Sequence, residues 1–377
     1  MNRNRIRCFH GQRITIAFII IALSFYLVLW SFFIAGCENN KGFIIFERNY
    51  KLLRANQNGS EEKTITNGFD NTPAVSANGQ LIAYTHSSSD PRTPTTTSNT
   101  VSPPVVSLYT AKADGSNPVR VTPQEWGTSS GWEPIFPRQE GTTWVQRDCS
   151  QPSFSRDGTK LVFIMDDSAW QELGNEGSGG YGLEAIAVIG LSGPQKGKLQ
   201  ILAKTEDMFV GGGGFSNPRF ASDGAYVYFN EFSGGGPPES SLCRISAAGG
   251  KTTVIAQGSP NKGYYAFDVS PKNNSIAAVD VGSSRRPGPS MPGIIVLMNT
   301  DGSNKRYVDT GSAYVGSDYL CFSPDGDSLA FSDQQMGTQS APGAHSDIYT
   351  VMTNGTSLKR VIINGRGPAW GKASSSK

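Results

Sequence analysis

Phe322-Ser-Pro-Asp-Gly-Asp-Ser-Leu-Ala-Phe331 is the stretch on which the reading of this chain turns. It joins an apolar strand to a Ser-Pro-Asp-Gly turn and to a second apolar strand that ends in an aromatic. The pattern returns as Phe154-Ser-Arg-Asp-Gly-Thr-Lys-Leu-Val-Phe163, Phe220-Ala-Ser-Asp-Gly-Ala-Tyr-Val-Tyr-Phe229 and Val75-Ser-Ala-Asn-Gly-Gln-Leu-Ile-Ala-Tyr84. A degenerate copy is Val269-Ser-Pro-Lys-Asn-Asn-Ser-Ile-Ala-Ala278. Repeats at this spacing predict a circular array of small sheets, and such arrays usually bind rather than catalyse.

A second signal counts the units independently. Asn58-Gly59, Asp114-Gly115, Ser192-Gly193, Gly249-Gly250, Asp301-Gly302 and Asn354-Gly355 each separate two short apolar runs. Such pairs predict tight two-residue hairpins of type I′ or II′, because Gly, Asn and Asp tolerate positive φ. There are six of these turns but only five full copies of the first pattern. The ends of the chain account for the difference. Arg366-Gly-Pro-Ala-Trp370 begins a repeat, whereas Gly42–Phe46, Lys51–Ala55 and Lys63–Thr66 read as the strands it lacks. The expectation is an all-β, six-bladed propeller of four-stranded blades over 42–371, closed three-plus-one by its terminal strands, with 372–377 as a tail. Closure of this kind removes an exposed sheet edge.

The repeats resemble the WD40-like (PD40) repeats of TolB-type propellers, with their Phe-Ser-Pro-Asp-Gly-x-x-Leu-Ala-Phe core. The resemblance covers 42–371 and implies the propeller fold and a cell-envelope setting. TolB itself carries an α/β domain before its propeller, and the present sequence leaves no room for one. The resemblance is therefore not extended to TolB's partners.

Residues 1–36 read as a signal segment. Arg3, Arg5, Arg7 and Arg13 precede an uncharged run from Ile14 to Gly36, which ends Ile34-Ala35-Gly36-Cys37. That ending resembles a bacterial lipobox, which implies lipidation of Cys37, with 38–41 completing a short tether. An uncleaved membrane helix is the other reading of the same run. Both place the folded part outside the cytoplasm, facing the periplasm or exterior. Without residues 1–36 the chain has 29 basic and 31 acidic residues, a net charge of −2. This argues against nucleic acid, which needs a concentrated basic surface. Cys149, Cys243 and Cys321 remain beyond Cys37. Three cannot all pair, and they show no metal-ligand spacing.

Long insertions fall on one face of the predicted ring, at 85–107, 165–181, 232–240, 281–292 and 332–346 within blades and at 123–148 and 204–214 between them. Loops on a rigid scaffold are where binding residues concentrate. Trp126, Trp132, Trp144, Trp170 and Tyr181, with the basic pair Arg285-Arg286, are the candidate partner contacts. The alternative for each aromatic is to anchor its loop against a blade. Asp166, Asp167, Asp318, His86 and His345 are the candidate residues at the channel mouth. The acids would either hold a hard cation such as Ca²⁺ or form a solvated rim. Gly127-Thr-Ser-Ser-Gly131 fits a hydrolase pattern but has no strand-to-helix elbow around it. Gly177–Gly182 fits a dinucleotide fingerprint but precedes a strand, not a helix.

The sequence therefore predicts a non-enzymatic, lipid-anchored envelope propeller with no cofactor and no resident metal. Its expected partner is a protein or a glycan at the long-loop face. The alternative is a carbohydrate-active lyase or hydrolase with paired carboxylates at the channel mouth.

Overall fold

The computed structural model describes residues 42–89, 95–97, 100–102, 105–127, 142–172, 178–205, 213–233, 239–259, 263–282, 293–311, 313, 315–333 and 346–373. The signal segment, Cys37, Trp132, Arg285, Arg286 and His345 lie outside these residues. So do the side chains of Trp144, Trp170, Tyr181 and Asp318.

Six four-stranded antiparallel sheets make the ring. From inner to outer strand, blade 1 is Phe69–Val75, Leu81–Ser87, Val106–Lys112 and Val119–Arg120. Blade 2 is Thr142–Phe154, Lys160–Glu172, Ser178–Gly190 and Leu199–Lys204. Blade 3 is Gly214–Phe220, Tyr226–Ser233, Glu239–Ser246 and Thr253–Ala256. Blade 4 is Gly263–Val269, Ser275–Val281, Ile294–Asn299 and Arg306–Tyr307. Blade 5 is Val315–Phe322, Ser328–Asp333, Ile348–Met352 and Lys359–Ile362. Blade 6 takes its inner strand, Arg366–Lys372, from the C-terminus and Gly42–Arg48, Lys51–Asn56 and Lys63–Thr64 from the N-terminus. Ile44 stands opposite Trp370 and Ile45 opposite Ala369. The three-plus-one closure is thus the observed topology.

The Ser-x-Asp-Gly turn has a physical reason at each position. In blade 5 the Ser323 hydroxyl donates to Asp325 Oδ1 at 2.6 Å and accepts the Ser328 amide at 2.9 Å. Gly326 then adopts φ 74°, open to glycine and costly for other residues. Blade 2 repeats the device through Ser155, Asp157 and Gly158. The bonds from Ser155 and Thr159 hold the Asp157 carboxyl below its usual range.

The outer hairpins differ from the two-residue form predicted. Gly59, Gly115, Gly302 and Gly355 are left-handed, but the Asn or Asp before each is not. The Gly59 amide donates to Asn56 O and the Asn56 amide to Ser60 O, both at 2.8 Å. This is a type I turn closed by a glycine bulge. The preceding side chain makes it favourable, since Asn58 Oδ1 accepts the Ser60 amide at 3.0 Å.

The core lies between blades. The aromatics that the repeat places within the second strands, Phe46, Phe163, Phe229 and Phe331, are fully buried and Tyr84 nearly so. Each such side chain contributes about 1.5–3 kcal/mol by leaving water. Blade 4 departs from the pattern, with Ala278 in the aromatic position. Its cross-strand partner Phe267, fully buried, fills the volume. Proline or leucine occupies the site of Phe267 in other blades, as Pro152, Pro218 and Leu320 show. The repeat is thus degenerate in sequence and intact in volume.

Every inner strand carries a register shift against its neighbour. In four blades a left-handed residue before a proline marks it: Thr72, Gln151, Asn217 and Gly367. Such bulges bend the strand and re-aim the side chains beyond them. The residues just after the prolines, Ala74, Ser153, Arg219 and Ala369, line the channel.

Candidate functional site

On the long-loop face, blade 2 departs from the other five. Its first three strands are 13 residues each, against five to eight in the inner three strands of every other blade. The surplus is a three-stranded extension of five or six residues, roughly 15–20 Å of sheet. The insertion predicted at 165–181 is therefore mostly strand and not loop. The same correction applies to the end of the 123–148 insertion. Trp144 pairs with Ala169, and Ala169 with Tyr181, while Trp170 pairs with Thr143 and Gly180. Three of the five predicted aromatics thus fall on two adjacent rungs of one ladder. The glycine-rich 178–182 segment is part of this strand, which excludes the helix N-terminus that a dinucleotide site requires.

The root of the extension is locked from within. Arg147 faces Asp167 across the first two strands, Nε donating to Oδ1 at 2.5 Å and Nη2 to Oδ2 at 2.8 Å. Asp167 is 0% and Arg147 4% exposed. Trp126, delivered by the 3-10 turn Gln124–Gly127, lies 4.9 Å from the Arg147 guanidinium, ring to cation. It is buried with Leu108, Phe163 and Met165 between blades 1 and 2. Two expectations are corrected here. Trp126 is buried as a packing residue and leaves little surface for a partner. Asp167 is not at the channel mouth, because its register directs it between blades, where Arg147 neutralises it.

Asp166, one residue earlier, pairs with Asp148 and Glu184 on the neighbouring strands and is half-buried. Asp148 accepts the Val106 amide of blade 1 at 2.8 Å. Glu184 accepts the Phe215 amide of blade 3 at 2.5 Å, and burial raises its carboxyl pKa. These are seams between blades. His86 lies at the long-loop end of blade 1, its Nδ1 2.8 Å from Asp70 Oδ1 and its ring edge-on to Tyr109. Asp70 is buried and was not singled out from the sequence, where nothing distinguishes it from a turn aspartate. Among the described residues no group of three or more His, Cys, Asp or Glu side chains is placed to hold a metal ion. The three cysteines are unpaired, and burial pushes each thiol pKa well up, so none of them is a reactive thiolate.

The opposite, short-turn end of the channel holds a cavity of about 380 Å³ to which all six blades contribute. Arg219 of blade 3 and Asp268 of blade 4 face each other in it, Nε to Oδ1 at 3.7 Å. Asp268 Oδ2 also accepts the Phe322 amide at 2.8 Å. Burial lowers the Arg219 pKa and raises that of Asp268, each opposed by the partner charge. Arg156, at the turn position that Pro271 and Pro324 hold in blades 4 and 5, reaches past blade 3 to donate to Pro271 O at 3.1 Å. Sequence reasoning missed this cavity because its residues come from six separate repeats at positions that look like ordinary strand ends.

No protein-family model matches the sequence, and no curated protein matches it significantly. Solved structures share the fold. TolB from Acinetobacter baumannii aligns at a TM-score of 0.51 and 18% identity, over 88% of this chain and 66% of that one. A putative TolB from Agrobacterium tumefaciens aligns at 0.51 and 14% identity, over 88% of this chain and 98% of that one. The chain spans just under two thirds of the Acinetobacter protein. The fold is that of the TolB propellers, as the repeats implied.

Proposed function

We propose that this chain is a non-enzymatic propeller of the cell envelope, tethered by a lipid on Cys37, whose long-loop face receives a protein or glycan partner. The observation that carries the reading is the blade 2 extension. A sheet whose strands run roughly 15–20 Å past the strand length of the other blades is not needed for the ring's closure, which those blades achieve without one. It carries Trp144 and Tyr181 on one rung and Trp170 on the next, over a base fixed by Trp126, Arg147 and Asp167. Aromatics on a rigid support make contact area at low entropic cost. Trp132, Arg285 and Arg286 belong to the same proposed surface.

The carbohydrate-enzyme alternative needs two converging acids with space between them. Asp333 and Asp347 do approach each other, but both are occupied. Asp333 Oδ1 accepts the Asp347 amide at 2.6 Å, and Asp347 accepts the Asn364 amide and Arg360 Nη1.

Cross-linked affinity capture from the host's membranes tests the binding reading, comparing wild type with a Trp144→Ala/Trp170→Ala/Tyr181→Ala variant. A protein or glycan enriched by wild type alone, with the variant's melting temperature unchanged, is the expected result. Equal recovery from a folded variant would move the contact elsewhere. Cys37→Ala is expected to release the chain from the membrane fraction, and its retention there would overturn the lipid tether.

A further inference from the structure

We infer that the short-turn end of the channel is a binding site for a small carboxylate-bearing ligand, with Arg219 as its anchor. The site lies on the face opposite the extension and stands independently of the partner proposed there.

The charge balance of the cavity comes first. Its charged residues are Arg156, Arg219, Lys372 and Asp268, so three cations meet one carboxylate. The chain beyond Gly36 carries a net −2, so this excess of positive charge is local and not a general property of the surface. A channel with low-dielectric walls concentrates the field of such a set on whatever enters.

The arginine geometry comes second. Arg219 Nη1 donates to its neighbour's carbonyl, Pro218 O, at 3.0 Å. Nε sits 3.7 Å from Asp268, beyond hydrogen-bond range, so the pair is electrostatic only. Asp268 for its part is taken up by the Phe322 amide. The guanidinium therefore keeps donor capacity directed at the cavity, and its planar fork is matched to a carboxylate. A tight bidentate pair like that of Arg147 and Asp167 would instead have turned one edge of the fork to its own carboxylate.

The third observation is the departure at position 156. Blades 4 and 5 place Pro271 and Pro324 at this point of the turn and blades 1 and 3 Ala77 and Ser222, whereas blade 2 places an arginine, the one charged residue there among the five copies. Arg156 extends over the mouth to Pro271 O and thus sets a second guanidinium at the lip. The turn forms with proline, alanine or serine at this point, so it does not itself require the arginine, whose charge suits an anion at the lip. A cavity of about 380 Å³ suits a ligand the size of a sugar acid or the end of a short peptide.

Isothermal titration of the whole propeller with D-glucuronate against D-glucose, and with trialanine against trialaninamide, tests the site. The first pair represents a sugar acid and the second a peptide C-terminus. At least one carboxylate is expected to bind with a Kd below about 10 mM, at least tenfold more tightly than its neutral counterpart. Arg219→Gln should weaken that binding at least tenfold. Asp268→Asn should strengthen it, because it removes the carboxylate that faces Arg219. That gain is not expected of a residue with a purely structural role. If Arg219→Gln fails to fold, Arg156→Gln at the exposed lip should weaken binding several-fold. Absence of carboxylate binding by wild type, equal binding of the neutral counterparts, or unchanged affinity in folded Arg219→Gln or Arg156→Gln would each overturn the inference.

Discussion

Glu47 Oε1 accepts a 2.6 Å hydrogen bond from Nη2 of Arg366, 319 residues further along the chain. The bond sits inside the blade that joins the two ends. Arg48 adds to it, with Nη2 donating to Ile363 O at 2.6 Å and Nε to Asn364 O at 2.8 Å. Burial raises the Glu47 carboxyl pKa above its ordinary 4.5, and Arg366 only partly offsets the rise. An acid with a raised pKa in the folded state contributes stability that is full below its unfolded value and is lost as pH climbs through the folded one. Glu47→Gln removes that titration and keeps a hydrogen-bond acceptor. Melting temperatures across pH 4 to 8 should therefore show wild type losing ground to Glu47→Gln from about pH 4.5 upward. A constant gap over that range would refute the assignment.

The same blade predicts a severe truncation. Ending the chain before Arg366 removes the strand opposite Gly42–Arg48 and exposes the fully buried Ile44, Ile45 and Phe46. Each of these contributes about 1.5–3 kcal/mol by burial. At about 2–4 °C per kcal/mol for a large domain, the midpoint should fall by more than about 10 °C. An unchanged midpoint would mean that the closing strand is dispensable.

Blade 4 supplies a packing test. Phe267 and Ala278 are cross-strand partners, where blade 5 sets Leu320 against Phe331. Ala278→Phe alone should overpack the seam by about 1–3 kcal/mol. Phe267→Leu alone should leave a small cavity and cost a similar amount. The double variant copies blade 5 and should recover most of the loss. Urea unfolding of the four proteins gives the coupling energy, and simple additivity would show that the two sites do not share one volume.

The ring was legible because its signals are local. A Ser-x-Asp-Gly turn holds itself together within six residues, as Ser323, Asp325, Gly326 and Ser328 do, so the sequence carries the whole device. Even the missing sixth repeat could be assembled from the two ends. What stayed hidden depends on long-range geometry. The Arg219–Asp268 pair links positions 49 residues apart, and neither stands out among strand-end polar residues. Blade 2 was misread for a related reason. Ser178–Gly182 and Asp166–Asp167 have loop composition, and only pairing along a 13-residue ladder turns them into strand. Trp126 was misplaced because an aromatic in a connecting segment serves equally as anchor or as contact until its neighbours are known.

Trp126 and Asp167 give the prediction that separates support from contact. With Asp167→Ala, the nearly inaccessible Arg147 loses both bonds of its bidentate partner. Removing one member of such a pair costs about 3–5 kcal/mol, mostly as the penalty of a buried charge without its counter-ion. Trp126→Ala should cost about 3–5 kcal/mol as well, through the cavity it leaves against Leu108 and Met165. Replacing both charges, as in Arg147→Met/Asp167→Leu, removes the desolvated ions together and should be far milder than either single loss. Urea unfolding of the three variants reads these costs. If Trp126→Ala unfolds like wild type, its indole is not holding the blade 1–blade 2 seam, and the root of the extension must be fixed by other contacts. If Arg147→Met/Asp167→Leu is as damaged as Asp167→Ala, the pair is worth more than its desolvation cost. The extension would then depend on the ion pair itself and not on the volume it occupies.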